Sequence, residues 1–168
     1  GDAREKINII PSSIKFDLIY LDGFSPQKCP QLWTIEFLSK VTENLNSQGY
    51  LITYSSSAAV RKTLRNLGLE IFTIKPSFKN RTFWSQGTVA ISKFDKNKLK
   101  PNFNFEKLSL MEEEHLLTKA SIPYRDQDLN SSKDDIIKRR LDEQLFSNLL
   151  STNKWREKWG MTKLSVKS

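Results

Sequence analysis

Residues 16–33 read FDLIYLDGFSPQKCPQLW, and this stretch decides the fold. Its first part, Phe16–Asp22, is a short apolar run rich in aromatic and β-branched residues, and Gly23 follows it. Such a run, apolar on both faces, is typical of a buried strand in a parallel sheet. Pro30 can then begin a helix, because the first turn of a helix has no partner for a backbone N–H. The stretch therefore predicts a buried strand, a loop and a helix start.

The sequence after this loop alternates between helix and strand patterns. Apolar residues recur at helical spacing over 32–45, and turn residues at 46–49 end that pattern. A serine run at 55–57 suits the cap of a second helix, which continues through Leu67 and stops at Gly68. The further strands are predicted at Tyr50–Tyr54, Leu69–Ile74 and Thr88–Ile91. This rhythm predicts an α/β fold with a wound sheet.

The composition changes after residue 94. Residues 96–108 are polar and are predicted as a linker or extended arm, and one short helix is predicted at Glu112–Lys119. A longer amphipathic helix is predicted at Asp134–Leu150, capped by one of the two preceding serines. The predicted units are an α/β domain at 1–94, a linker at 95–130 and a helical C-terminal extension at 131–168.

The composition also limits the classes of function. The 168 residues include no run of about eighteen apolar ones, and the first residues lack the apolar core of a signal peptide, so neither a membrane span nor a secretory leader is expected. Cys29 is the only cysteine, which excludes an intrachain disulfide and fits a reducing cytoplasm. The only histidine, His115, cannot form a histidine metal site by itself, so metal catalysis is not expected.

The charge distribution indicates a candidate surface for nucleic acid. The net charge is +8, which fits a phosphate-rich partner but equally a merely soluble basic protein. The loop at 75–86 mixes cations with aromatic rings, a composition that suits single-stranded RNA. The alternative for this loop is an ordinary surface loop whose rings are anchored in the core. The alternative for the predicted helix at 58–67 is that its basic residues simply form a solvated face. The candidate RNA-contacting residues are Arg61, Lys62, Lys75, Lys79 and Arg81.

Asp22 is the first candidate for chemistry, because ligands of open α/β sheets bind outside the carboxyl ends of the strands. An aspartate that caps a helix or turn is the alternative, and spacing alone does not separate the two.

The stretches GDAR (1–4), FDLIYLDGFSPQKCPQLW (16–33), GYLITYSSSAAVRKTLRNLG (49–68) and GTVA (87–90) match the sequence pattern of a known family. Through them, residues 1–92 resemble the MnmC-type family of S-adenosylmethionine-dependent methyltransferases, which complete 5-methylaminomethyl-2-thiouridine at the wobble position of tRNA. The family pattern has asparagine where this chain has Cys29, for which a packing role is expected. The resemblance implies a Rossmann-like class I methyltransferase fold, S-adenosylmethionine as cofactor, the anticodon loop of tRNA as partner and a cytoplasmic location.

The resemblance also implies roles for single residues in the loop after the first strand. Asp22 would be the catalytic carboxylate that accepts the proton of the acceptor amine or holds the amine oriented, and it would lie beside the cofactor. Phe24 would stack on the target base or on the adenine of the cofactor. Phe24, Pro26 and Trp33 would shape the substrate pocket.

The GDAR stretch implies a second part of the cofactor site. Asp2 would accept a hydrogen bond from the adenine amino group and Ala3 would lie against the ring, although a solvated turn aspartate is the alternative. In this family the glycine-rich turn for the methionine moiety precedes the position of Gly1, so we expect these residues to be the C-terminal part of the domain. We further expect them to bind cofactor poorly and to be inactive alone. An exposed sheet edge would favour self-association.

Two other functions stay open on the sequence. A methyltransferase for a small-molecule amine would keep Asp22 but gain nothing from the basic loop. A non-catalytic tRNA-binding or interaction module would use the basic residues alone.

Overall fold

The computed structural model describes residues 1–75, 86–92 and 104–161. A five-stranded sheet runs through this part of the chain, in the order β1-β2-β4-β3-β5. The first two strands are parallel and the other three pairings are antiparallel, so the α/β prediction is confirmed with a mixed sheet. The strands are β1 (Phe16–Tyr20), β2 (Leu45–Thr53), β3 (Glu70–Ile74), β4 (Thr88–Ile91) and β5 (Phe105–Lys107).

Helices cover one face of this sheet. The main core joins that face to the helices and to the 3-10 turn at Pro30–Trp33, with Trp33, Leu51 and Leu64 fully buried in it. A second cluster contains Phe72 and Val89, which alternate along their strands with residues of the main core and therefore face the other side of the sheet. The helices are α1 (Ala3–Ile7), α2 (Ile35–Glu43), α3 (Ala58–Asn66), α4 (Leu110–His115), α5 (Lys133–Phe146) and α6 (Thr152–Lys158).

Strand β1 is parallel to β2, as expected, but it is not buried. Among the described residues β1 pairs with β2 alone, which leaves it at the edge of the sheet. Phe16, Leu18 and Tyr20 are 40%, 45% and 69% exposed. The prediction of a buried strand is therefore wrong here, because burial of both faces needs cover that the described residues do not supply.

The predicted linker at 95–130 is wrong for residues 104–130. Strand β5 adds an edge to the sheet, and Ser109 begins α4 with a capping box in which it exchanges hydrogen bonds with Glu112. Leu108, Leu116 and Tyr124 are buried in the main core. A few apolar residues, spread along this segment, thus pack it against the core although its overall composition is polar. Residues 95–103 lie outside the described residues.

The C-terminal extension packs largely through polar contacts. Ser132 caps α5 by accepting a hydrogen bond from the Asp135 N–H, which confirms the predicted helix start. Arg140 donates to the carbonyl oxygens of Ile122 and Ala120 at 2.7 and 2.9 Å. The helix ends earlier than predicted, and part of its apolar stripe stays exposed.

No helix within residues 1–75, 86–92 and 104–161 is both long and apolar enough to cross a membrane.

Candidate active site

An open cleft lies where β1 and β2 end side by side. Leu21 continues the pairing beyond β1, because its N–H donates to the Ile52 carbonyl at 2.9 Å. The next residue, Asp22, is exposed at the carboxyl end of the strand, where parallel sheets bind their ligands. The cleft has a volume of about 660 Å³ and is lined by Asp22, Gly23, Phe24, Ser25, Lys28, Leu32 and Tyr54.

Two aromatic side chains fix the loop that follows Asp22. The indole Nε1 of Trp33 donates to the Phe24 carbonyl at 2.7 Å, and the Tyr54 hydroxyl donates to the Gly23 carbonyl at 2.8 Å. The two rings meet edge to face, with centroids 6.3 Å apart. Both hydrogen bonds hold the loop backbone, so the Phe24 ring is presented to solvent and is 75% exposed.

The three predicted pocket residues therefore have different positions. Phe24 lines the cleft, but Pro26 and Trp33 are buried and do not line it. Their assignment to the pocket wall is therefore wrong. Trp33 instead supports the loop from the core side, because its ring is in the core and its indole N–H donates to the loop backbone. Cys29 is half-buried and directly precedes the 3-10 turn.

Sequence reasoning missed Lys28 and Tyr54 as members of this site. Tyr54 directly follows β2, which ends beside β1, so its position one residue beyond a parallel strand was the available signal. Burial and the nearby charge of Asp22 raise the pKa of Tyr54 above its ordinary value. Its hydroxyl therefore stays protonated at neutral pH and remains a hydrogen-bond donor.

Asp2 and Ala3 do not line the cleft of Asp22. Asp2 caps α1, where its carboxylate accepts hydrogen bonds from the backbone and guanidinium of Arg4 at 2.9 and 2.7 Å. It borders a different cavity of about 310 Å³, together with Asp128, Leu129 and others. Ala3 is exposed at the first position of α1. The structure thus leaves both residues near the surface but places them apart from Asp22.

Arg61 is a correction to the predicted RNA-binding surface. It is only 2% exposed, and its guanidinium donates to the Glu112 carboxylate and the Thr88 hydroxyl, both at 2.8 Å. A side chain so enclosed cannot contact phosphates on the surface. Helical spacing was the overlooked signal, because Ala58 and Leu64 lie three residues to either side and are also buried.

The other predicted RNA contacts are divided. Lys62 is half-buried on α3, and Lys75 is exposed and forms an ion pair with Glu106 at 2.8 Å. Lys79 and Arg81 lie outside the described residues. Lys62 and Lys75 thus lie near the surface, but the structure does not show the predicted RNA-contacting residues as one continuous patch.

A family profile described as S-adenosyl-L-methionine-dependent methyltransferase matches residues 1–89. An uncharacterized protein of Methanocaldococcus jannaschii is 32% identical over 158 residues, which are 92% of this chain and 41% of that protein. The tRNA 5-methylaminomethyl-2-thiouridine biosynthesis bifunctional protein MnmC of Campylobacter hominis is 39% identical over 54 residues, or 32% of this chain and 8% of that protein.

A solved structure extends the likeness to the fold. The crystal structure of MnmC2 from Aquifex aeolicus superposes with a TM-score of 0.73 and 32% sequence identity, covering 86% of this chain and 43% of that one. The chain thus spans less than half the length of these relatives. The profile match covers more than half of the chain and includes the cleft and Asp22. The chain belongs to the S-adenosyl-L-methionine-dependent methyltransferase family, and its domain is of the MnmC type.

Proposed function

We propose that the polypeptide transfers a methyl group from S-adenosylmethionine to the aminomethyl nitrogen on the wobble uridine of tRNA. The observation that carries this proposal is the exposed Asp22 carboxylate, which shares a cleft with the exposed Phe24 ring at the carboxyl end of β1. A carboxylate serves the acceptor amine, and a fixed aromatic ring serves a splayed base. The target nucleotide of such an enzyme lies in the anticodon loop.

The chemistry explains why a carboxylate is needed. An alkylammonium has no lone pair, so the acceptor nitrogen must be neutral when it attacks the methyl carbon. As the N–C bond formed, the C–S bond would break, S-adenosylhomocysteine would leave as a neutral thioether and the positive charge would pass to the nitrogen. Asp22 would accept the amine's proton or hold the amine oriented by a hydrogen bond. Alignment of nitrogen and methyl group supplies much of the rate gain in such a displacement. The loop contacts of Trp33 and Tyr54 keep the backbone beside Asp22 in place for this alignment.

The described residues fit one side of a site for the cofactor. The bound cofactor would supply an electrophilic methyl group on a sulfonium. A nearby carboxylate would interact favourably with the positive charge of that sulfonium. Asp22 and Phe24 would lie beside it, and Asp2 and Ala3 would face its adenine. No Gly-x-Gly turn follows a strand in the part of the chain that the structure describes.

The RNA side of the proposal depends on charge. The net charge of +8 favours a polyanion, and Lys28 adds a cation to the cleft itself. Lys75 lies just before the basic, aromatic stretch of the sequence at 76–85. These features support tRNA over a small amine as the acceptor, and a tRNA substrate would place the protein in the cytoplasm.

The edge of β1 supports self-association of these 168 residues. One side of the strand pairs with β2, and the face that the described residues leave exposed carries Phe16, Leu18 and Tyr20. Unpaired backbone groups beside exposed apolar side chains invite pairing with another strand.

The test compares three acceptors with methyl-labelled cofactor and the full-length polypeptide. Hypomodified tRNA with 5-aminomethyluridine at the wobble position should become labelled, whereas the free nucleoside and a simple alkylamine should not. Equal labelling of the free nucleoside would instead identify a small-molecule methyltransferase. Binding of tRNA without label in any acceptor would identify a non-catalytic RNA-binding module, and either result would contradict the proposal.

A further inference from the structure

Arg4 joins the N-terminal GDAR stretch to the loop at 126–131 through two carboxylates. Its Nη2 donates to Asp2 at 2.7 Å, and its Nη1 donates to Asp126 at 2.8 Å. Asp126 is 0% exposed, and Arg4 itself is largely buried. The contact spans 122 positions of sequence, so the 126–131 loop directly contacts the GDAR stretch.

Asp126 is held rigidly in its own loop. Its carboxylate accepts hydrogen bonds from the N–H groups of Asn130 and Ser131 at 3.2 and 2.9 Å. Its own N–H donates to the Glu36 carboxylate at 2.7 Å. Leu129 within this loop has a φ of 55°, a conformation that persists in a non-glycine residue only where its surroundings enforce it.

The loop also closes around Arg4 itself. The Ser131 carbonyl accepts a second hydrogen bond from Arg4 Nη1 at 2.9 Å. A buried carboxylate is costly unless it is paired and hydrogen-bonded, and Arg4 together with the loop N–H groups meets both needs. Burial raises the pKa of Asp126, but these hydrogen bonds outweigh it and hold the pKa below its ordinary value. Asp126 is thus an anion that keeps Arg4 in one orientation.

The same arrangement fixes Asp2. Three nitrogens of Arg4 (the backbone N, Nε and Nη2) contact the Asp2 carboxylate, which nevertheless stays partly exposed toward the cavity that it borders with Leu129 and Asn130. Nε is shared between the two oxygens at 3.3 and 3.0 Å, so three donor groups face the roughly four lone-pair sites of a carboxylate, and the exposed side of Asp2 can still accept a further donor.

We propose that Asp126 and Arg4 are positioning residues for the Asp2 carboxylate, and that they present it to the adenine amino group of the cofactor. The inference rests on the proposed function, because it assigns the cofactor's adenine to the cavity beside Asp2. It gives the C-terminal segment a role at the cofactor site: the 126–131 loop holds Arg4, and Arg4 holds Asp2.

A double-mutant cycle on S-adenosylhomocysteine binding tests this inference. Calorimetry on the full-length polypeptide would compare the wild type, Asp126→Asn, Asp2→Asn and the double variant. Asp126→Asn should weaken binding about tenfold, with no further loss in the Asp2→Asn background, because Asp126 acts through Asp2. Glu113→Gln, which breaks the Arg65–Glu113 ion pair in the same C-terminal region, is the matched control and should leave affinity unchanged.

If Asp126→Asn weakens binding equally in the wild-type and Asp2→Asn backgrounds, the cause is a general loss of structure and the inference is overturned. Unchanged binding by Asp126→Asn, or no binding by the wild type, would also overturn it. The proposed function fails separately, when the cycle is as expected but no label reaches tRNA. Thermal unfolding of each variant identifies those that are misfolded, and Asp126→Glu, which keeps the charge, should restore part of the affinity in a folded protein.

Discussion

The role inferred for Arg61 changes once its neighbours in the structure are known. From the sequence it belonged to a basic cluster, and in the structure it is enclosed with Glu112, 51 positions away. Asp22 is the opposite case, because the end of a strand is a local feature and its position at the sheet edge could be predicted. The burial of Arg61 depends on the segment 104–130, which contains Glu112. The polar composition of that segment did not reveal how it packs.

Removing one partner of this buried pair should be costly. Arg61→Met leaves the Glu112 carboxylate without its cation, and we expect a loss of about 3 kcal/mol in the free energy of unfolding. Urea unfolding measures this loss, and Lys62→Met, at the next and half-buried position of α3, should cost far less. A stable Arg61→Met protein with much weaker tRNA binding would contradict the structure and revive the RNA-contact hypothesis.

His115 should make stability depend on pH. Burial lowers its pKa to about 4, and the charges of Arg61 and Arg156 act in the same direction while that of Glu112 opposes them. The unfolded histidine has a pKa near 6.5, so the unfolded chain binds more protons between these values. Stability should therefore fall by on the order of 1–3 kcal/mol as the pH drops from about 6.5 to about 4.

His115→Phe isolates this effect, because a phenyl ring can keep the stacking on Trp155, whose centroid is 4.1 Å away. Carboxylates that titrate in the same range contribute equally to both proteins. The unfolding free energy of the wild type, relative to that of the variant, should thus decrease as the pH falls from about 6.5 to about 4. A constant difference between pH 7 and pH 4 would show that His115 is not a buried neutral base.

At the scale of elements, locally determined features were predictable and long-range ones were not. The bounds of β4 and the serine cap of α5 agree with the prediction, because a short apolar run and a helix cap are local features. The folding of 104–130 was missed, since it depends on Leu108, Leu116 and Tyr124 reaching the main core. The exposure of β1 was also missed, because a strand's own sequence does not state what covers it.

The loop after β1 should depend on the Trp33 indole N–H. Trp33→Phe removes the hydrogen bond to the Phe24 carbonyl, worth about 1 kcal/mol, and adds the cost of a small cavity, because Trp33 is fully buried. Hydrogen exchange at residues 22–28 should rise as the loop loosens. Trp155→Phe is the matched control: this buried indole also donates to one carbonyl, that of Met111, so a similar stability loss should occur without any change at 22–28. Equal exchange in the two variants would contradict the role given to Trp33.

At the scale of the whole molecule, β1 is an edge strand with an exposed apolar face within residues 1–75, 86–92 and 104–161. We expect the 168-residue chain to self-associate through this edge. Leu18→Lys places a charge in the middle of the strand and should return the chain to a monomer in sedimentation velocity. Leu145→Lys tests another exposed apolar site, on α5, and should have no such effect. A monodisperse wild-type monomer, or a response to Leu145→Lys alone, would contradict this prediction.

The central claim is that the Asp22 carboxylate meets a neutral amine beside the methyl donor. The most direct measurement is methyl transfer to hypomodified tRNA by the full-length polypeptide carrying Asp22→Asn, with Asp17→Asn, another exposed aspartate of the same segment, as control. Asp22→Asn should lower the rate of transfer by about 100-fold or more while tRNA affinity stays unchanged, and Asp17→Asn should transfer at the wild-type rate. Transfer by Asp22→Asn as fast as by the wild type would contradict the account.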